Sequence, residues 1–490
     1  MEKSYFLIFP FFYIIIIYEC FKITLYILGL LFFYIRTGGW WIMSYFLITT
    51  VITICFIYIL LFSIINIFHK QGFKFPLFLE KLLTKNNLLL NNNSSLSKGK
   101  SVTIEKTEII KVGLYALSLR LIFLLLSYIS LHIFNDFSHI LNLNEFLDEL
   151  TEWDCNNYYR ISEYGYNYWQ ENGYKTTLAF FPLYPFISYL LNFIIHNTKL
   201  SLLLVSIISY SIGCCYLYAL ITKELNKKIA KRTLIYISVF PFAFFFGTMM
   251  PESLFFLLIC MTLYYINEHK FFIASITGFL AVTTRLQGIL IIIPFIIELI
   301  INYKVLYVIK HKHWKELKEP LLKLLYIPIY FLGIIVYLLC NYLCTGNMFY
   351  FIILQEKIWN HHFAYPSVSI KYTIDSIPYI VNLNTKKIDV LFLTWIPQLL
   401  VFILCIFALI YGIGKINEKY SIYLLFYLFI SYASSFLVSG GRYMSIAVPM
   451  FIILAISTRE HPFIDKCYTA LSFSFCVLFN ICYILSKHIV

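Results

Sequence analysis

Residues 112–134 read VGLYALSLRLIFLLLSYISLHIF, and the charge on either side of this run decides the fold. The run exceeds the ~20 apolar residues needed to cross a bilayer core. In lipid a helix is the form that satisfies its own backbone hydrogen bonds. Before it, residues 69–111 carry eight lysines (70, 74, 81, 85, 98, 100, 106 and 111) against Glu80, Glu105 and Glu108. After it, residues 135–178 carry Asp136, Glu145, Asp148, Glu149, Glu152, Asp154, Glu163 and Glu171 against Arg160 and Lys175. Lysine-rich loops stay cytosolic. The basic loop is therefore expected in the cytosol and the acidic loop on the opposite face.

The rest of the chain obeys the same logic. Of its 490 residues 60% are hydrophobic, 20% aromatic and 13% charged, which excludes a soluble enzyme. The runs 5–35 and 43–68 are each long enough to span, and the first is too long for a signal-peptide core. The net charge of +13 then reads as cytosolic lysine rather than as a nucleic-acid surface. The twelve cysteines are scattered, without a Cys-x-x-Cys pair, so neither a disulfide framework nor a zinc site is expected. The tract 86–100 is rich in Asn, Ser and Lys and reads as disordered. Its sequons at Asn92 and Asn93 would stay unmodified on the cytosolic side. The expected organisation is two N-terminal spans in 1–68, a cytosolic loop at 69–111, and a helical membrane domain over 112–486.

Further basic turns at 223–232, 304–323 and 459–466 fix the sidedness downstream. An even number of crossings must join two cytosolic loops. Four short helices, at about 233–249, 252–267, 271–284 and 288–302, satisfy that between the first two turns. Glu252 and Arg285 then fall on the face of Asp154. So do a second loop, 344–388, and the segment Ser439-Gly440-Gly441-Arg442-Tyr443. The run 179–222 has the wrong parity for two spans, so the part around Pro182 and Pro185 is expected to be re-entrant. The fold class is all-α, a polytopic helical membrane protein with about 11–13 transmembrane helices and an acidic loop after the third.

Candidate chemistry gathers on the acidic face. Asp154 follows Trp153, an interface-anchoring residue type, which brings its carboxylate near the bilayer surface. The alternative is one solvated acid among eight, with Glu149 and Glu152 as plainer neighbours. Ionisable residues at membrane depth are costly, which favours a role for Glu252 and Arg285; a mutual structural salt bridge is the alternative. Arg442 suits phosphate through its planar fork, and Gly440 and Gly441 would let a head group come close. Arg120, inside the span 112–134, is open to snorkelling, to pairing with another helix, or to a ligand. His361 and His362 are adjacent and make a poor metal pair, so a loop rim is expected there. Trp359 and the tyrosines are able to stack on sugar faces, although packing is their default.

Trp153-Asp154, Tyr158, Ile161, Gly165-Tyr166 and then Ala179-Phe180-Phe181-Pro182 with Pro185 resemble the GPI mannosyltransferase II (PIG-V) family of GT-C membrane glycosyltransferases. Phe240-Pro241, Pro251-Glu252-Ser253-Leu254-Phe255, Thr284-Arg285 with Gly288, Trp359-Asn360 and Arg442 follow in the family's order, and Ser118-Leu119-Arg120 has a counterpart. The resemblance covers about 112–457; the two spans before it are additional to the family pattern. It implies that the acidic face is the endoplasmic reticulum lumen and that the donor is dolichyl-phosphate mannose. It further implies that a second mannose is added in α-1,6 linkage to the mannosyl-glucosaminyl-phosphatidylinositol intermediate. One inverting displacement needs one base, expected at Asp154. The ionised phosphate leaving group needs positive charge, for which Arg285 and Arg442 are candidates. Trp153, Tyr158, Tyr166, Glu252 and Trp359 complete the expected donor- and substrate-binding set. The reading demands no nucleotide, cofactor or metal, and leaves open a small membrane-anchored accessory subunit. The alternatives are another dolichol-linked mannosyltransferase, acting on protein or on the N-glycan precursor, and a transporter. A transporter predicts internal symmetry, and no repeat is visible.

Overall fold

The structure, a computed structural model, describes residues 40–75, 104–134, 139–382, 388–487 and 489. The expected first N-terminal span, the Asn/Ser/Lys tract and its sequons lie outside them. Among the described residues the regular structure is helical, with two isolated bridges, Glu171–Tyr174 and Phe363–Ser434, in place of strands. The helices used below are α1 (Trp40–Lys70), α2 (Lys106–Phe134), α3 (Leu143–Glu149), α4 (Asp154–Tyr164), α5 (Leu183–Ile195), α6 (Thr198–Glu224), α7 (Lys227–Val239) and α8 (Glu252–Asn267). They continue with α9 (Phe271–Thr284), α10 (Ile292–Asn302), α11 (Ile327–Thr345), α12 (Ile396–Gly412), α13 (Glu418–Tyr432), α14 (Gly440–Met444), α15 (Val448–Ser457) and α16 (Pro462–Ile484). Among the described residues six helical stretches, those of α1, α2, α6, α11, α12 and α16, are long and apolar enough to cross a membrane. The chain is an all-α polytopic membrane protein.

Charge sorts the helix ends as the loop count predicted. At one end, α2 begins beside α7 through Glu108–Lys227 at 2.8 Å, and Arg232 of α7 meets Asp465 of α16 at 3.1 Å. The same end holds Lys70 on Glu418 at 2.8 Å and Lys223 on Glu268 at 2.9 Å. At the other end the acidic loop reaches the start of α6, where Asn197 Nδ2 donates to Asn144 at 2.8 Å. It also reaches the end of α16, where Ser486 donates to Glu152 at 2.8 Å. The second loop joins it there, through Lys175 Nζ on the Cys344 carbonyl at 2.8 Å.

Between these ends, α7 to α10 form a series of four short helices, the last three close to the expected bounds; the first, expected at 233–249, instead runs Lys227–Val239 and is followed by a separate 3-10 turn at Ala243–Gly247. The 16 residues of α8 rise about 24 Å, short of a ~30 Å hydrocarbon core. That length suffices because α8 is an interior helix, with most of its side chains buried against α6 and α9. Glycine permits a close crossing between α9 and α11. A Cβ on Gly278 would lie 1.9 Å from the Tyr330 ring, and one on Gly333 would lie 2.8 Å from the Phe279 carbonyl oxygen. Small residues at helix interfaces allow such approach in membranes.

The parity conflict at 179–222 resolves as expected. Pro182 caps α5, which starts part-way down α6: the Tyr184 hydroxyl lies 2.9 Å from both the Leu202 carbonyl and Ser206 Oγ. It ends at His196, in a left-handed turn, where Asn197 caps α6. α5 therefore returns to the acidic end and does not join the two ends.

The N-terminal helix α1 is part of the body. Thr49 donates to Ser367 at 2.8 Å, Thr53 lies 2.8 Å from the Tyr365 hydroxyl, and Asn66 with Lys70 holds Glu418 at the start of α13.

Candidate functional site

Four chain segments far apart in sequence meet at the acidic end. Asp154 is the first residue of α4, where the positive end of the helix dipole favours a carboxylate. Trp153, half-buried, caps that helix with φ of 50°, a left-handed conformation that costs a bulky residue of order 1–3 kcal/mol. Glu252 opens α8 behind Pro251, Arg285 closes α9, and Arg442 lies in the single-turn helix α14.

These four side chains form one connected chain of charge. Arg442 Nη1 donates to Asp154 Oδ2 at 2.7 Å, and Arg442 Nε donates to Glu252 Oε1. The same Glu252 oxygen accepts from Arg285 Nη2. Glu252 is wholly buried and Arg285 nearly so, whereas the Asp154 side chain keeps 34% of its surface exposed. Two cations and two anions balance, which is how ionised groups remain tolerable away from water. Two atoms stay unmatched: Glu252 Oε2 and Arg285 Nη1 are buried without a protein hydrogen-bond partner. Unpaired buried N–H groups and carboxylate oxygens are expensive, so Arg285 Nη1, with its two hydrogens, and Glu252 Oε2 are the hydrogen-bonding capacity that the network leaves unspent.

Aromatic rings enclose the cluster. Arg442 lies over Phe245 at 5.0 Å and Arg285 over Tyr443 at 5.4 Å. Tyr158, one turn along α4 from Asp154, packs edge-on to Phe180 at 5.2 Å and to Tyr184 at 5.3 Å. Burial pushes its phenol well above the usual range, and Arg285, Asp154, Glu252 and Arg442 are all close enough to act on it. Neighbouring Cys155 lies 3.3 Å from the Tyr483 hydroxyl, which ties α4 to the end of α16.

The expected site residues thus divide. Asp154, Glu252, Arg285 and Arg442 converge, with Trp153 and Tyr158 beside them. Tyr166 serves as a brace: its hydroxyl donates to the Phe180 carbonyl at 2.8 Å, and its own carbonyl accepts from Thr177 at 3.3 Å. Gly165 makes that fold-back possible by closing α4 at φ of 75°, a conformation suited to glycine. Trp359, half-buried on the second loop, has no hydrogen bond, ion pair or ring contact with the charged cluster. The following residues pair instead with the strand-like segment before α14. His362 N–H donates to Ser435 Oγ at 3.1 Å, Ser435 N–H to the His362 carbonyl at 2.9 Å, and the His361 ring meets Phe436 at 5.4 Å.

One reading of the sequence needs correction, and one open alternative is decided. Gly440 and Gly441 do not clear room for a head group. A Cβ on Gly441 would lie 2.1 Å from the Phe242 ring, and one on Gly440 2.7 Å from Leu437, so protein side chains already fill that space. Arg120 takes the helix-pairing course among its three readings. Fully buried, it donates to the Ser238 carbonyl at 2.9 Å and to the Ala243 carbonyl, between the rings of Tyr210 and Phe123. It thereby satisfies the Ser238 carbonyl in the last turn of α7 and the Ala243 carbonyl in the 3-10 turn that follows. Among the described residues no three His, Cys, Asp or Glu side chains are grouped to hold a metal ion.

Sequence reading missed Phe245 and Tyr443 as walls of the cluster. Tyr443 adjoins Arg442 and was within reach; Phe245 sits inside a run of phenylalanines that carries no distinguishing signal. No family model matches the chain, and no curated protein matches it.

Proposed function

We propose that the chain is a GT-C-type mannosyltransferase of the endoplasmic reticulum membrane that adds the second, α-1,6-linked mannose to a GPI precursor from dolichyl-phosphate mannose. The observation that carries this reading is the chain Asp154–Arg442–Glu252–Arg285, ending in an unpartnered arginine N–H. The acidic end is then lumenal. Asp154, the most exposed of the four, takes the proton of the acceptor hydroxyl as that oxygen bonds to the mannose anomeric carbon. The bond from that carbon to the phosphate oxygen breaks, and the inverted product has α configuration.

The charges suit this step. Of the two arginines, Arg442 spends N–H groups on both acids, while Arg285 keeps Nη1 for a phosphate oxygen. Before transfer Asp154 carries one negative charge and the donor phosphodiester another. Afterwards Asp154 is neutral and the released phosphate carries both. Protonation of Asp154 loosens its hold on Arg442 at the moment the leaving group gains charge, so Arg442 becomes available to it. That is stabilisation matched to the developing charge rather than to the ground state. Glu252 positions the two arginines, and Trp153 and Tyr158 shape the sugar side.

The test is complementation of cells lacking the second GPI mannosyltransferase, with any accessory subunit supplied, followed by mass spectrometry of the lipid intermediates. Conversion of the one-mannose lipid to the two-mannose lipid by wild type, and its accumulation with Asp154→Asn at equal expression, is the expected result. Persistence of the one-mannose lipid with folded wild-type protein and partner present rejects the substrate. Full activity in Asp154→Asn rejects the base.

A further inference from the structure

α4 has a second functional face. Asp154 and Tyr158 look toward the charged cluster, but Tyr159 and Glu163 line a separate, solvent-open pocket of about 480 Å³ between α3, α4 and the α5–α6 turn. The volume lies within the range of small-ligand sites. Only one apolar aliphatic residue, Leu147, contributes to its wall; the remainder are amides, hydroxyls, ionisable groups and the Tyr159 ring.

That wall is already braced. Lys199 pairs with Asp148 and sits 5.0 Å over the Tyr159 ring. Thr198 donates to Glu163, and Asn197 donates to Asn144 at 2.8 Å. Hydrogen bonds among α3, α4 and the start of α6 thus fix the cavity before anything enters it, which lowers the ordering cost of binding. One lining residue stands apart: Asn192 borders the pocket, and its Oδ1 is buried without a hydrogen-bond partner, which leaves an acceptor unsatisfied at the wall.

The chemistry narrows the occupant. An acyl or prenyl chain finds almost no apolar wall. An anion meets two carboxylates against one lysine that is already paired. A sugar meets amide and carboxylate acceptors for its hydroxyls and an aromatic ring for its apolar face. We propose that this cavity is a recognition site for an uncharged or amine-bearing sugar unit, separate from the charged cluster. Glu163 follows Asp154 by nine residues of helix, about 13 Å, so the two sites do not compete for one ring. The proposal requires binding only and does not rest on the transferase reading.

The experiment is saturation-transfer NMR on the full-length protein in nanodiscs, with methyl α-mannoside, glucosamine and mannose 6-phosphate as probes. Transfer is expected to the first two sugars and not to the phosphate. Asn192→Ala and Tyr159→Ala should each weaken the bound sugar about tenfold, the scale of one lost buried hydrogen bond or ring contact. Asp154→Asn should leave that binding unchanged, which separates this site from the charged cluster. Unaltered gel-filtration profiles and melting curves will show that the variants are folded. Absence of transfer to both phosphate-free probes overturns the proposal. So does transfer that survives in folded Asn192→Ala and Tyr159→Ala, or that disappears with Asp154→Asn.

Discussion

Replacing Glu252 by glutamine tests the centre of the charge chain. The substitution keeps the shape and removes the charge that holds both Arg285 and Arg442. Each charge-assisted hydrogen bond contributes about 1.5–3 kcal/mol, so losing two costs about 3–6 kcal/mol. Breaking a buried ion pair by removing one partner gives a similar figure, about 3–5 kcal/mol. No solvent discount applies, because Glu252 is 0% exposed. Asp154→Asn is the contrast: with its side chain 34% exposed, its ion pair should contribute at most about 1 kcal/mol. Thermal unfolding followed by fluorescence-detected gel filtration in detergent should therefore show a large loss for Glu252→Gln and almost none for Asp154→Asn. Removing the excess cation as well, in Glu252→Gln with Arg285→Gln, should recover part of the loss, with a coupling of about 1–3 kcal/mol. A Glu252→Gln protein as stable as wild type, or a double variant whose losses simply add, would refute the buried-network account.

Other substitutions separate folding from chemistry. Asp154→Asn should reduce transfer of mannose to the one-mannose lipid at least a hundredfold, measured by mass spectrometry at matched folded protein. Arg120→Met should destabilise by about 2–4 kcal/mol by orphaning the Ser238 and Ala243 carbonyls, while molecules that remain folded keep full transfer activity. Gly441→Ala should cost about 1–3 kcal/mol by overpacking against Phe242, and Phe242→Leu should relieve it, read as paired melting curves. His361 is held below its ordinary pKa by burial and by His362. The unfolded chain therefore takes up its proton first. The stabilisation is full above about pH 6.5 and falls as pH drops through that value toward the folded pKa. His361→Gln should flatten the melting temperature between about pH 7 and 5.

Charge parity made much of this molecule legible. Counting lysine-rich turns placed Glu252, Arg285, Arg442 and Asp154 on one face, and the structure brings all four into one network. It also exposed the misfit at 179–222 that α5 resolves. The pairings within the network were not legible. Arg442 and Asp154 are 288 residues apart, and Arg442 and Glu252 are 190 apart, so nothing local records that one carboxylate oxygen serves two arginines. Gly440 and Gly441 misled for the same reason: a small residue announces close approach without saying what approaches. Trp359 shows the limit of order along a chain, since its loop closes on residues 433–435 rather than on the cluster. The cavity beside Tyr159 was hidden because its wall is assembled from four helices, each contributing ordinary polar residues.

The far end of the molecule bears on how the charge chain keeps its geometry. Lys419, 1% exposed, lies 3.0 Å from Glu298, 3.5 Å from Glu224 and 3.0 Å from Asn267, joining the starts or ends of α13, α10, α6 and α8. Buried pairs of this kind add little net stability over apolar packing, but removing one partner is costly, so they act best as registers. α8 is therefore held at both ends, by Glu252 at one and by Asn267 and Glu268 at the other. Sliding it by one turn, about 5.4 Å, would break both sets at once. Glu252 in turn sets Arg442, and Arg442 sets Asp154, across helix ends rather than loop tips. On the proposed transferase reading, a site that presents fixed charge to a developing phosphate gains from such rigidity, because dipoles already in place need no reorganisation when the bond breaks. On the same reading, substitutions at Lys419 should disturb Asp154 chemistry across the length of α8, about 24 Å of helix, without either residue touching the other.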